Sequence, residues 1–214
     1  MRCDFGKKAD DGDAPGNDGI FGIDMKTNPC GLIQRDYNMR WRLIYGKTPS
    51  AETGPNHART KSGGYIFTEA SYLHPGDTAV MYTKELSVQD KCNLTITFYY
   101  HMYGSDMGEL RVRQTGTKTL LWSASGQQHD DGLTWSLASI HLPFREAGDV
   151  QFDFVGVRGD TQTSDIGLDD ISIVQDCPPV TGMSWVSYTS IAWYMHIRFL
   201  RKCMISHISP IFLN

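Results

Sequence analysis

The stretch that decides the fold is "NLTITFYYHMYG", Asn93 to Gly104. Read with period two, Leu94, Ile96, Phe98, Tyr100 and Met102 fall on one side, and Asn93, Thr95, Thr97, Tyr99 and His101 on the other. One side is apolar and the other largely polar, the pattern of a strand in an antiparallel sheet whose inner face packs and whose outer face meets water. The aromatic residues are therefore read as core, and His101 is placed on the wet face beside Tyr99.

Working outward, strand-like stretches alternate with Gly, Pro, Asn and Asp from Arg40 onward. They are "WRLIYG", "GGYIFTEAS", "TAVMYTKEL", "GELRVRQTG", "KTLLWSASG", "TWSLASIHLP", "DVQFDFVGVRG" and "GLDDISIVQ". Leu110 and Val112 share a face opposite Glu109, Arg111 and Arg113; Val150, Phe152 and Phe154 oppose Gln151 and Asp153. Each strand has one wet side, and no helical stripe interrupts the series. Many short alternating strands between turns describe an all-β sandwich of two antiparallel sheets, jelly-roll or immunoglobulin-like.

The two ends read differently. Between Cys3 and Cys30, "KKADDGDAPGNDGIFGIDMKTNP" has no periodicity and is expected to be a solvated loop, since its acids do not follow the EF-hand spacing. No apolar leader precedes Cys3, so the chain is expected to be a piece of a longer extracellular protein or the product of a gene model that begins mid-protein. After Cys177 the carboxylates stop, and Pro178 to Ile197 is an uncharged run about as long as a membrane span. Its Ser, Thr, Gly and Pro content and its central tryptophans and tyrosines argue against a span. The division expected is a domain over residues 1–177 and, over residues 178–214, a tail that is poorly ordered or an artefact of translation past a coding boundary.

With 214 residues the chain can bury one sizeable core. A net charge of −4 offers no basic field, which sets aside nucleic acid and anionic lipid as partners. The five cysteines, Cys3, Cys30, Cys92, Cys177 and Cys203, form no Cys-x-x-Cys pair and lack the spacing of a zinc knuckle. Two disulfides among the first four leave three pairings open. Asn93-Leu94-Thr95 is an N-glycosylation acceptor whose Asn93 lies on the polar face of its strand. Both features together favour an oxidising, secretory compartment.

Catalytic chemistry has little support. His101 has no nucleophile elbow, zinc-binding helix or phosphate loop to accompany it, and His57, His74, His129 and His141 are scattered. Trp122 and Trp135 are expected to pack or anchor turns. Asp169 and Asp170 are adjacent on a strand, so they should point to opposite faces and cannot form a dyad. Asp169 should share its face with Ile171 and Ile173, which would bury it and demand a metal, a backbone amide or an arginine as partner.

Taken in order, "CDF" at Cys3, "CG" at Cys30 with Gln34, "GP" at Gly54, "GGYIFTEAS", "PGDTAVMYTKEL", "CNLTITFYYHMYG", "GELRV", "LLWSASGQQ", "TWSLASIHL", "VQFDFVGVRG" and "SDIGLDDISI" resemble the MAM domain, the extracellular module of meprins, neuropilins and receptor tyrosine phosphatases. The resemblance runs from Cys3 to about Cys177. It implies a jelly-roll-like sandwich, with disulfides joining Cys3 to Cys30 and Cys92 to Cys177. Some members hold calcium with acids from the first segment, from the loop after Gly-Pro and from the Leu-Asp-Asp strand, which points here to Asp4, Asp169 and Asp170.

This chain departs from the family where that ligand set matters. "GPNHART" puts Ala58 and Arg59 where Asp and His are expected, Gly6 replaces a Glu, Leu32 replaces a Trp, and the first cysteine loop is longer than usual. Calcium is therefore expected to bind weakly. The implied function is a non-catalytic adhesion module of a larger membrane or secreted protein, located outside the cell. Its partners would be extracellular proteins, homophilic contacts included, and it would meet a membrane only through the rest of its parent. The alternatives are an accessory domain of a secreted metalloprotease, or a carbohydrate-binding jelly roll with an exposed aromatic platform.

Overall fold

The computed structural model describes residues 1–3, 5, 23–24, 31–35, 37–143 and 146–178. Cα packing separates Met1–Pro178 from Pro179–Asn214, and only the first unit is described, so the expected tail lies outside the described residues. In chain order the strands are β1 (Arg2–Cys3), β2 (Ile23–Asp24), β3 (Ile33–Gln34), β4 (Trp41–Ile44), β5 (Tyr65–Thr68), β6 (Thr78–Tyr82) and β7 (Leu86–Val88). They continue with β8 (Asn93–Met102), β9 (Glu109–Gln114), β10 (Leu120–Ser125), β11 (Ser136–Pro143), β12 (Gly148–Val150), β13 (Phe152–Val157) and β14 (Ile166–Asp176).

Two antiparallel sheets face each other. The first has the order β11-β8-β14-β5-β4-β2, and the second β10-β9-β13-β6-β3; β12 and β7 form a separate pair. Along one edge of β14 runs β8; the other edge takes β5 at Gly167 and Leu168 and β1 at Ile171 and Ser172. The all-β sandwich expected from sequence is thus observed, and among the described residues no helix is long and apolar enough to cross a membrane.

Alternation fills the space between the sheets. Leu94, Ile96 and Phe98 of β8, Leu110 and Val112 of β9, Phe152 and Phe154 of β13 and Ile173 of β14 are all buried there. Phe98 meets Phe154 and Trp122 edge-on, with ring centroids 5.5 and 5.1 Å away, the arrangement that aromatic quadrupoles favour. Trp41, fully buried, donates its indole N–H to the Ala79 carbonyl across the core at 3.2 Å.

One disulfide, between Cys92 and Cys177, spans 85 residues and ties the start of β8 to the residue after β14. That pairing agrees with the one the resemblance implies. Cys3 is also disulfide-bonded, while Cys30 lies outside the described residues.

Two expectations about wet faces need correction. Asp153 is buried, because Arg113 and Lys118 reach over it with N–O distances of 3.0 and 2.9 Å and the Thr115 hydroxyl donates to it at 2.7 Å. Burial opposes its ionisation, but those donors outweigh it and hold its pKa below the usual carboxylate range. His101 is likewise fully buried, for a reason that emerges from the loops beyond β8.

Candidate functional site

The outer face of the first sheet is divided. At the Asn93 end it is open, with Val174 exposed opposite Thr95; Leu137, opposite Tyr99 on the edge strand β11, is exposed as well. At the other end two loops lie on the sheet and build a second apolar cluster of Ala58, Tyr65 and Phe67, flanked by Ile44 and Trp135. Gly167 makes this close approach possible. A Cβ there would stand 2.9 Å from Pro55 and 3.0 Å from Trp135.

Loop 54–60 is secured along its length. Gly54 donates its amide to Tyr103 at 2.9 Å, Asn56 to Gly132 at 2.7 Å, and the Tyr65 hydroxyl donates to the carbonyls of Gly46 and Pro55. The Trp135 indole N–H reaches the His57 carbonyl at 3.1 Å. At its end Arg59 makes three contacts, two with β14 and one with β8. Its backbone amide donates to Asp169 Oδ2 at 3.0 Å, its Nε forms a short ion pair with Asp170, and its Cζ sits 4.4 Å above the Tyr99 ring.

A β-bulge explains why both carboxylates reach this loop. Asp169 is paired with Tyr99, but Ser172 with Thr97, so β14 carries one extra residue over this step, and Asp170 adopts φ of 47°. The extra residue shifts the alternation. Asp169 shares the outer face with Tyr99, whereas Ile171 and Ile173 point into the core, which corrects the expectation that the three lie together. It also corrects the expectation that Asp169 and Asp170 diverge, since both engage Arg59. Asp169 is buried under the loop, and burial pushes its pKa up to about 6 despite the amides of Arg59 and Asp170 that bond to it.

The described part of the expected calcium set does not fit the ion. Each oxygen of Asp169 accepts a backbone amide, Asp170 is taken by a guanidinium, and Ala58 presents a buried methyl group where an oxygen would be needed. Among the described residues no three of His, Cys, Asp and Glu gather around a common point; Asp4 lies outside them.

Next to this cluster, His101 and His129 stack with centroids 4.9 Å apart and planes 6° from parallel. His101 Nε2 lies 2.8 Å from the Asp131 carbonyl, which can only accept, so this nitrogen carries the proton. His129 Nδ1 accepts the Met102 amide at 3.0 Å, leaving Nε2 to donate to Ser136 at 2.9 Å. His129, with an accepting nitrogen, is therefore neutral. Burial, then the neighbouring His129, lowers the pKa of His101 to about 4, and His101 Nδ1 is buried without a partner. Because His129 Nε2 already carries the proton, the ring cannot take one from the Ser136 hydroxyl it faces. Beyond them a concavity of about 350 Å³ opens between Lys47, Glu52, Asn56, Tyr103, Asp131 and Leu133.

A further acid pair escaped the sequence reading. Asp165 accepts the Ala70 amide and Glu69 the next amide, from Ser71, each at 2.9 Å. The second oxygen of each carboxyl is buried without a partner. Burial, reinforced by Glu69, raises the pKa of Asp165 well above the usual value. The TEAS stretch held a visible acid in an apolar strand, but nothing in the sequence indicated that Asp165 would meet it.

Asn93 is exposed at the first position of β8, on the open half of the outer face, where a glycan has room. Thr95, the third residue of its acceptor triplet, lies 3.1 Å from His141 through its hydroxyl.

Comparison with known proteins agrees with this architecture. The family model described as MAM domain, meprin/A5/mu, matches residues 24–178. Thyroid hormone-induced protein B of Xenopus laevis is 35% identical over 156 residues, 69% of this chain and 22% of that protein. Neuropilin-1a of Danio rerio is 32% identical over 163 residues, 73% of this chain and 17% of that protein. The chain thus spans about a fifth of the length of such relatives. A Stig cyclase from Fischerella sp. TAU shares the fold, with a TM-score of 0.50 at 12% identity over 83% of this chain and 99% of that one. On the family match and the identity to these relatives, the chain belongs to the MAM domain family.

Proposed function

We propose that this chain is a non-catalytic adhesion or interaction module of a longer secreted or membrane-attached protein, and that it works outside the cell. The observation that carries the reading is the disulfide between Cys92 and Cys177 in a MAM family chain, since a structural bridge of this kind persists in oxidising compartments. Supporting it, the buried polar groups of the first sheet bond mainly to backbone or to one another. They hold loops in place instead of converging on a substrate.

Partners are other extracellular proteins, a second copy of this chain among them. The open half of the outer face, with Val174, and the neighbouring edge strand β11, with Leu137, form the surface offered for such contact. Asn93 carries an N-linked glycan at its margin, restricting how closely a partner approaches that end.

The test is secretion of the 214-residue chain from a eukaryotic cell, followed by bead clustering and sedimentation of the purified product. Self-association or saturable binding to cell surfaces is expected, and an endoglycosidase-sensitive mobility shift should disappear in Asn93→Gln. Strictly monomeric protein that clusters no beads and binds no cell would overturn the adhesive reading.

A further inference from the structure

We propose that Arg59 takes the place of a divalent cation in this chain, holding loop 54–60 on the bulge of β14 so that folding and heat stability do not depend on calcium. The argument starts with electrostatics. Asp169 and Asp170 are adjacent carboxylates brought to one side of the sheet by a bulge, and two such charges beside a buried apolar cluster need a positive charge to balance them. A bound metal ion is one solution. The geometry here supplies another, a guanidinium that is part of the chain itself.

Arg59 is unusually well fixed for this task. Its backbone amide holds Asp169, its Nε holds Asp170, and the face of Tyr99 lies under its Cζ at 4.4 Å. Three anchors on one residue define both the position and the plane of the guanidinium, which a compact ammonium could not reproduce. The charge is permanent, because the neighbouring Asp170 raises a pKa that is already far above neutrality. Unlike a bound ion, it cannot be removed by dilution or by a chelator.

The residue before it completes the exchange. Ala58 is 2% exposed and packs with Tyr65 and Phe67, so the loop enters the sheet through an apolar contact where a metal site would place an oxygen. The remaining loop contacts, from Gly54 to Tyr103, Asn56 to Gly132 and Trp135 to His57, are all made within the protein. Nothing along the loop requires an ion to close it.

The test is thermal unfolding of the full 214-residue chain in millimolar calcium and in excess EGTA, with terbium luminescence as an independent measure of ion binding. The wild-type midpoint is expected to be the same in both, and Tyr99 and Trp135 should sensitise no calcium-displaceable terbium signal. Arg59→Ala should lower the midpoint in EGTA by roughly 3–6 °C. A wild-type midpoint that rises with calcium, a terbium signal that calcium displaces, or an Arg59→Ala midpoint equal to wild type would each overturn the proposal. None of these readings depends on adhesion, so failure here and failure of the adhesive function are separately visible.

Discussion

His101 and His129 stack face to face, 4.9 Å apart at their centroids; His129 accepts an amide at Nδ1, which only a neutral ring can do, and His101 keeps Nδ1 buried without a partner for a second proton. Acid should therefore weaken the fold. The folded-state pKa of His101 is lowered to about 4 from an ordinary value of 6.5, so its contribution is fully present above pH 6.5 and is lost as pH falls through about 4. The shift corresponds to ~3 kcal/mol. Denaturant midpoints between pH 7 and 4 check this: His101→Gln should fall less steeply than wild type over that range, and parallel curves would refute the assignment.

Asp165 should act in the opposite direction. Its folded-state pKa is raised, so the associated stability is fully present below the ordinary carboxylate value and is lost as pH rises through the raised one. Asp165→Asn keeps an oxygen for the Ala70 amide and removes the charge that faces Glu69. The variant should equal or exceed wild type in stability at pH 8 and lose that advantage at pH 4. Calorimetry at the two pH values distinguishes this from simple loss of a hydrogen bond, which would destabilise at both.

The bridge from Cys92 to Cys177 encloses most of the sandwich. In the loop-entropy account, closing a loop of 85 residues restricts the unfolded chain by roughly 4–5 kcal/mol. The paired substitution Cys92→Ser, Cys177→Ser should lower unfolding free energy by about that amount, measured by urea titration against wild type without reductant.

Gly167→Ala places a methyl group against Pro55 and Trp135 at 2.9 and 3.0 Å, closer than nearly all real Cβ contacts. The loop must lift or the strand must shift, at a cost of about 1–3 kcal/mol. Trp135 is partly buried and packs against Tyr65 with ring centroids 5.4 Å apart, so a red shift of its emission should accompany the loss.

What the sequence made legible was the interior of the sandwich. From Asn93 to Phe98 alternation and burial agree residue for residue, because one side of the strand packs on the opposing sheet and the other does not. Alternation stopped being informative where loops fold back. His101 and Asp153 occupy outer-face positions and are buried by residues 129–135 and by Arg113 and Lys118, contacts between segments that no local pattern encodes.

The bulge at Asp170 was equally invisible, since an aspartate adopts the positive φ without the glycine that would announce it. Resemblance supplied Asp169, Asp170 and the pairing of Cys92 with Cys177. The substitution at Arg59 was legible as a departure, but its meaning came only from the geometry that joins it to both acids. Similarly, the strand read as "TAVMYTKEL" ends at Tyr82, its Leu86 opening the separate strand β7, and "DVQFDFVGVRG" divides at Gln151 into β12 and β13.

The first and last described strands lie side by side, with Arg2 opposite Ser172 and the Met1 amine donating to the Ile173 carbonyl at 2.7 Å. A force pulling residue 1 away from residue 177 would therefore act across the pairing of β1 with β14, not across the whole width of the sheet. It would unzip the two residue pairs of β1 in sequence, while β14, backed along its length by β8 and sewn to it by sulfur, would carry the load into the middle of the sheet.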